Sequence, residues 1–134
     1  MQHRAGVLLL LALVTACQSE FHDLENSAVV QVRHEVLRVF PQVRDGGSVA
    51  CRQQIGALGD ASLWSQHAYG NAWDAAVPDL QTGDAVYEYL VANRERLRLG
   101  IIIWRQPDHF DHLHIESIFQ GVGTPRCADT LPGS

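Results

Sequence analysis

The chain has 134 residues, 46% of them hydrophobic, which is material for one domain with its own core and leaves no room for several. Its formal net charge is -5, and all ten basic residues are arginine. An acidic chain of this kind lacks the broad basic surface that nucleic acid requires, so no nucleic-acid partner is expected.

Arg4 precedes an apolar run from Val7 to Leu13, which closes on Val14-Thr15-Ala16-Cys17. The run is far shorter than the ~20 residues of a membrane-spanning helix, and it reads as an export signal. Val-Thr-Ala-Cys resembles the bacterial lipobox, whose cysteine receives the lipid and becomes the mature N-terminus. On that reading residues 1–17 are a lipoprotein-type signal segment. Cys17 is then the lipidation site and the only link to a membrane, and the domain lies outside the cytoplasm, in the periplasm or at the cell surface. An ordinary cleaved signal with an incidental Cys17 is the other reading. Residues 18–26 are polar and form a tether, and residues 27–134 form the domain.

Ser27 to Phe40 has the helical period, with Val29, Val32, Val36 and Phe40 on one stripe, flanked by Val30 and Leu37. Asn26 or Ser27 caps it, and Pro41 ends it. A short strand over Ser48 to Gln53 is expected after the turn Asp45-Gly46-Gly47. Gly56 to Ser65 reads as loop, and Ala72 to Val77 as a strand closed by Pro78. A second helix is expected over Thr82 to Leu97, capped by Thr82, with Asp84 in its first turn and Val86, Tyr89, Leu90 and Leu97 on its apolar side. Arg94, Arg96 and Arg98 read as its solvated end. The run Gly100 to Arg105 is rich in isoleucine and predicts a strand. Pro107 to Phe110 is a turn, and His112 to Phe119 a further strand, so the last two strands form an antiparallel hairpin. The sum is an α+β fold: a small antiparallel sheet with helices packed on it.

Apart from Cys17, the cysteines are Cys51 and Cys127, an even pair in an exported chain, where disulfides persist. A bridge would close a long loop, worth roughly 4 kcal/mol in the chain-entropy model. Two separate buried thiols are the alternative.

His67 and Asp74 stand seven positions apart, and Asp111-His112-Leu113-His114 follows. On a strand, residues two apart face the same way, so His112 and His114 share one side of a sheet. Taken alone, His-x-His is more often structural than metal-binding. Two nitrogens and one oxygen are, however, a common ligand set for a catalytic zinc with a fourth position open for water. A neighbouring carboxylate such as Asp111 is the proton acceptor that such a water needs. Asp108 and His109, beside it, read as loop residues.

Ser65-x-His67-x-x-Gly70-x-Ala72-x-Asp74, then Asp111-His112-x-His114, resembles the zinc D-Ala-D-Ala carboxypeptidases and related peptidoglycan peptidases, which share the hedgehog/DD-peptidase fold. The fuller string from Trp64 to Asp74 also looks like the extensin-like domain family, a bacterial branch of that fold. The resemblance spans roughly Ser48 to Glu116. It implies one Zn2+ held by His67, Asp74 and His114, and Asp111 as general base and then acid. It further implies His112 on the substrate carbonyl or oxyanion, and Arg52 polarising the scissile carbonyl or holding a substrate carboxylate. Ser65 and Gly70 support the site, and Ala72 allows close packing. The lysostaphin-type spacing His-x-x-x-Asp fails, because residue 71 is Asn. The expected function is therefore that of a hydrolase, a zinc metallopeptidase of the cell wall acting on peptidoglycan peptides as a monomer. A non-catalytic, metal-binding wall lipoprotein of the extensin-like type is the second reading, and a disulfide-stabilised binding domain with a coincidental motif the third.

Overall fold

The computed structural model describes residues 25–52 and 64–127. The expected signal segment, the lipidation site Cys17, residues 18–24 of the tether and the end of the tail lie outside the described residues. The described part is an α+β fold with two helices and a four-stranded antiparallel sheet.

Helix α1 runs over Ser27–Val39. The side chain of Asn26 accepts a hydrogen bond from the Ala28 amide at 2.9 Å, satisfying one of the free donors of the first turn. Its buried stripe is Ala28, Val29, Val32, Arg33 and Val36. Arg33 is buried at no net cost in charge because Glu25 pairs with it and the Ser48 hydroxyl bridges to both. Glu25 and Asn26, expected in the tether, are thus packed into the domain.

Strand β1 is only Arg44–Asp45, and it pairs with β2, Ala72–Ala76. No strand forms over residues 48–52, contrary to the sequence expectation, and Gln53 lies outside the described residues. The reason is local. Asp74 donates its amide to the Gly47 carbonyl at 2.9 Å and accepts from the Gly46 amide at 2.8 Å. Gly47 then takes a φ of 103° and turns the chain off the sheet.

Helix α2 spans Leu80–Ala92, and Asp79 caps it by accepting from the Thr82 amide at 2.7 Å. The helix therefore starts two residues before the expected Thr82 cap. It also ends earlier than expected, where the Asn93 side chain donates to the Tyr89 carbonyl at 2.8 Å and competes with further helical turns. Leu97 is buried although it stands beyond the helix. Arg96 reaches back to Glu35 on α1, whose carboxylate also accepts from the Tyr89 hydroxyl.

Strand β3, Leu99–Ile103, and strand β4, His112–Ser117, form the expected antiparallel hairpin. The sheet order is β1-β2-β4-β3. Alternation then sorts the side chains. Trp73, Ala75, Leu113 and Ile115 join Val29, Val32 and Val36 of α1 and Val86 and Leu90 of α2 in the core. The opposite face of the two central strands carries Ala72, Asp74 and Ala76 against Glu116, His114 and His112.

Cys51 and Cys127 are bridged, with their Cα atoms 5.8 Å apart. The bridge ties the tail to the segment that passes beneath His67. Among the described residues no helix is long and apolar enough to cross a membrane.

Candidate metal centre

Asp74 and His114 are directly opposed across the β2–β4 ladder, so the sheet register itself brings the two side chains together. His67 comes from a 3-10 turn, Gln66–Tyr69, that packs over this face. Ser65 caps the turn, its side chain accepting from the His67 amide, and Gly70 closes it in the left-handed region at φ 70°. An L side chain is strained in that region, which explains glycine there. Gly70 then donates its amide to the carbonyls of Gln66 and His67.

The three side chains meet in a triangle. His67 Nε2 lies 3.1 Å from Asp74 Oδ1 and 3.2 Å from His114 Nδ1, and His114 Nδ1 lies 3.1 Å from Asp74 Oδ1. The other ring nitrogens are already committed. His67 Nδ1 donates to the Ser48 carbonyl at 2.8 Å, and His114 Nε2 donates to Glu116 Oε1 at 2.9 Å. Each neutral imidazole therefore turns a bare lone pair toward its neighbour and toward a carboxylate oxygen. Three lone pairs at such distances repel unless a proton or a cation sits among them. Bonds of ~2.0 Å at the tetrahedral angle place ligand atoms about 3.3 Å apart. The triangle has that size, and these three residues form the group able to hold a metal ion among the described residues.

Without a metal, protons take that role. Burial pushes the Asp74 carboxyl up, but hydrogen bonds from His114 and His67 outweigh it and hold the group well below the usual carboxylate range. Burial pushes His114 down, but its bonds to Asp74 and Glu116 prevail and raise it to about 9. Metal-free His114 is an imidazolium between two carboxylates, and a metal must displace its Nδ1 proton.

The remaining expected residues lie at the edge of this centre. Arg52 keeps 59% of its side chain exposed, with its guanidinium 3.9 Å from Asp74 Oδ2. Asp111 precedes β4, so strict strand alternation does not govern it. Its side chain is 87% exposed, and it accepts from His112 Nδ1 at 2.7 Å. That hydrogen bond holds the Asp111 carboxyl below its ordinary value. The structure thus joins Asp111 to His112, which stands two residues before His114 on the same face of β4.

His109 lies in the loop between β3 and β4, as expected. The turn at 107–108 folds back through a bridge between Gln106 and His109, with Asp108 at φ 65°. This brings the His109 ring to 4.8 Å from the His112 ring and 5.9 Å from that of His114, between centroids. Its Nδ1 donates to the Pro107 carbonyl at 3.0 Å, leaving Nε2 as the available nitrogen. The adjacency depends on the hairpin closing, and no local pattern announces it.

A model of the family described as VldE, C-terminal domain, matches residues 25–109, more than half of the chain. The matched segment includes His67 and Asp74 and ends before β4, which carries His114. No curated protein and no solved structure matches the chain.

Proposed function

The chain belongs to the family described as VldE, C-terminal domain, and for this member of it we propose a zinc-dependent peptidase hydrolysing an amide bond in peptidoglycan stem peptides or cross-links. The observation that carries the reading is the His67–Asp74–His114 triangle, with edges of 3.1–3.2 Å. The motif resemblance to the peptidoglycan peptidases supplies the substrate class. Zinc, when bound there, supplies the Lewis acidity that polarises a carbonyl and lowers the pKa of water to about 7.

The chain's own residues supply the rest. Two imidazoles and one carboxylate would hold the ion. The Asp111–His112 couple handles protons. With Nδ1–H fixed on Asp111, the His112 ring offers Nε2 to take a proton from the attacking water, and Asp111 steadies the imidazolium that results. That cation then donates to the oxyanion and to the leaving amine. The expected division of labour, Asp111 as base and His112 as donor, thus becomes one shared role. Arg52, exposed beside Asp74, would hold a substrate carboxylate or polarise its carbonyl. Export through residues 1–17 and anchoring at Cys17 would put the domain where peptidoglycan lies.

The second reading is a metal-binding wall lipoprotein without catalysis. The observation favouring it is that Asp111 is largely exposed and meets His112 rather than the three ligands. Purified protein should contain one zinc per chain. Peptidoglycan digested with it should release peptide or amino acid products by mass, and a chelator should abolish them. Asp111→Asn should keep the zinc and lose at least 100-fold in rate, about the share of a general acid–base group. Zinc without product leaves the second reading, and absence of zinc removes both.

A further inference from the structure

We infer that Glu116 is a positioning residue for the metal centre, fixing the nitrogen through which His114 binds. The inference rests on the metal reading of the triangle. Glu116 lies two residues after His114 on β4 and shares its face, opposite Ala72, whose small side chain leaves the space. The Glu116 residue is only 8% exposed. Both of its oxygens are occupied. Oε1 accepts from His114 Nε2 at 2.9 Å, and Oε2 accepts from the Gln120 side-chain amide at 3.1 Å. Glu116 is not one of the three ligands.

The chemical consequence is specific. An imidazole has two nitrogens and binds a metal through the one without a proton. By holding the proton on Nε2, Glu116 leaves Nδ1 as the lone pair, and Nδ1 is the atom at the triangle. The bond also stops rotation about the ring's own axis and makes the ligand nitrogen more basic. His67 has only a neutral carbonyl, that of Ser48, behind its ring. The two histidine ligands are therefore backed unequally. The one on the strand has a carboxylate group behind it.

Gln120 extends the arrangement. It steadies Glu116 from the segment after β4, and the neighbouring Gly121 amide donates to the Gln66 side chain at 2.9 Å, on the turn that bears His67. The segment Gln120–Gly121 thus touches both the partner of the His114 ligand and the turn of the His67 ligand.

The test is zinc affinity of the full chain, by competition with a chromophoric chelator, read apart from hydrolysis. Glu116→Ala should weaken zinc binding by about 10- to 100-fold. Glu116→Gln keeps an acceptor for Nε2–H and should recover most of that loss. Cobalt loaded in place of zinc reports the geometry: its visible spectrum should shift in the alanine variant and return toward wild type in the glutamine variant. If Glu116→Ala does not fold, the glutamine variant decides, with about threefold weaker zinc and a shifted cobalt spectrum expected. A folded alanine variant within threefold of wild-type affinity with an unchanged cobalt spectrum overturns the inference, as does a glutamine variant identical to wild type where alanine cannot be measured. Wild-type protein that binds no zinc overturns the metal reading itself. Zinc binding without hydrolysis leaves the role of Glu116 intact.

Discussion

At the scale of single residues, His114 carries the most. Its pKa rises from 6.5 to about 9 in the metal-free fold. A raised folded pKa stabilises fully below the unfolded value and is lost as pH climbs through the folded one. Metal-free protein should therefore lose on the order of 3 kcal/mol between about pH 6.5 and 9, seen as a falling urea midpoint. Zinc affinity should rise over the same window, because the Nδ1 proton competes with the ion. At pH 7 loading should release about one proton per zinc, measurable by calorimetry in buffers of different ionisation enthalpy. A flat urea midpoint across that range would refute the imidazolium between Asp74 and Glu116. Glu116 was not legible as a partner, since nothing in the sequence marks a lone acidic residue within a strand as the mate of a histidine. His67, Asp74 and His114 were legible, because their motif spacing encodes the capped turn, the tight Gly70 corner and the strand that follows.

At the scale of elements, α2 meets the sheet through Gly83. A Cβ built there would lie 2.0 Å from the Trp104 ring, which no real contact permits. Trp104 cannot easily retreat, because its indole donates to Asp84 at 2.9 Å and Arg105 clamps the same carboxylate. Gly83→Ala, which raises helix propensity on paper, should instead destabilise by about 1–3 kcal/mol through overpacking. A thermal midpoint at or above wild type would contradict that packing. The sequence offers two starts for α2. Asp79 and Thr82 are both competent caps, and in the fold Asp79, in an extended conformation, takes the role by accepting from the Thr82 amide. β1 is not legible in the sequence because two residues carry no period at all; its partners are Ala75 and Ala76, far along the chain.

At the scale of the whole molecule, the disulfide joins positions separated by 76 residues. Closing a loop of that length stabilises by roughly 4 kcal/mol in the chain-entropy model. Cys51→Ala with Cys127→Ala should lower the guanidinium midpoint accordingly, and zinc should weaken too, since the bridge holds the segment whose Ser48 carbonyl backs His67. An unchanged midpoint would show that the bridge adds nothing. The class of the fold followed from helix and strand periods alone. The order β1-β2-β4-β3 did not, because pairing between β2 and β4 is a long-range event that no local window reports.

The opposed placement of Asp74 and His114 has a consequence for how the chain finds its fold. Slipping β4 by one residue would set His114 against Ala75 or Trp73 and turn the imidazole toward the core. Only the true alignment sets the two side chains directly opposite each other, where an ion could share them. A metal present during folding would therefore select the correct strand register by mass action and act as a proofreader of the sheet it later serves.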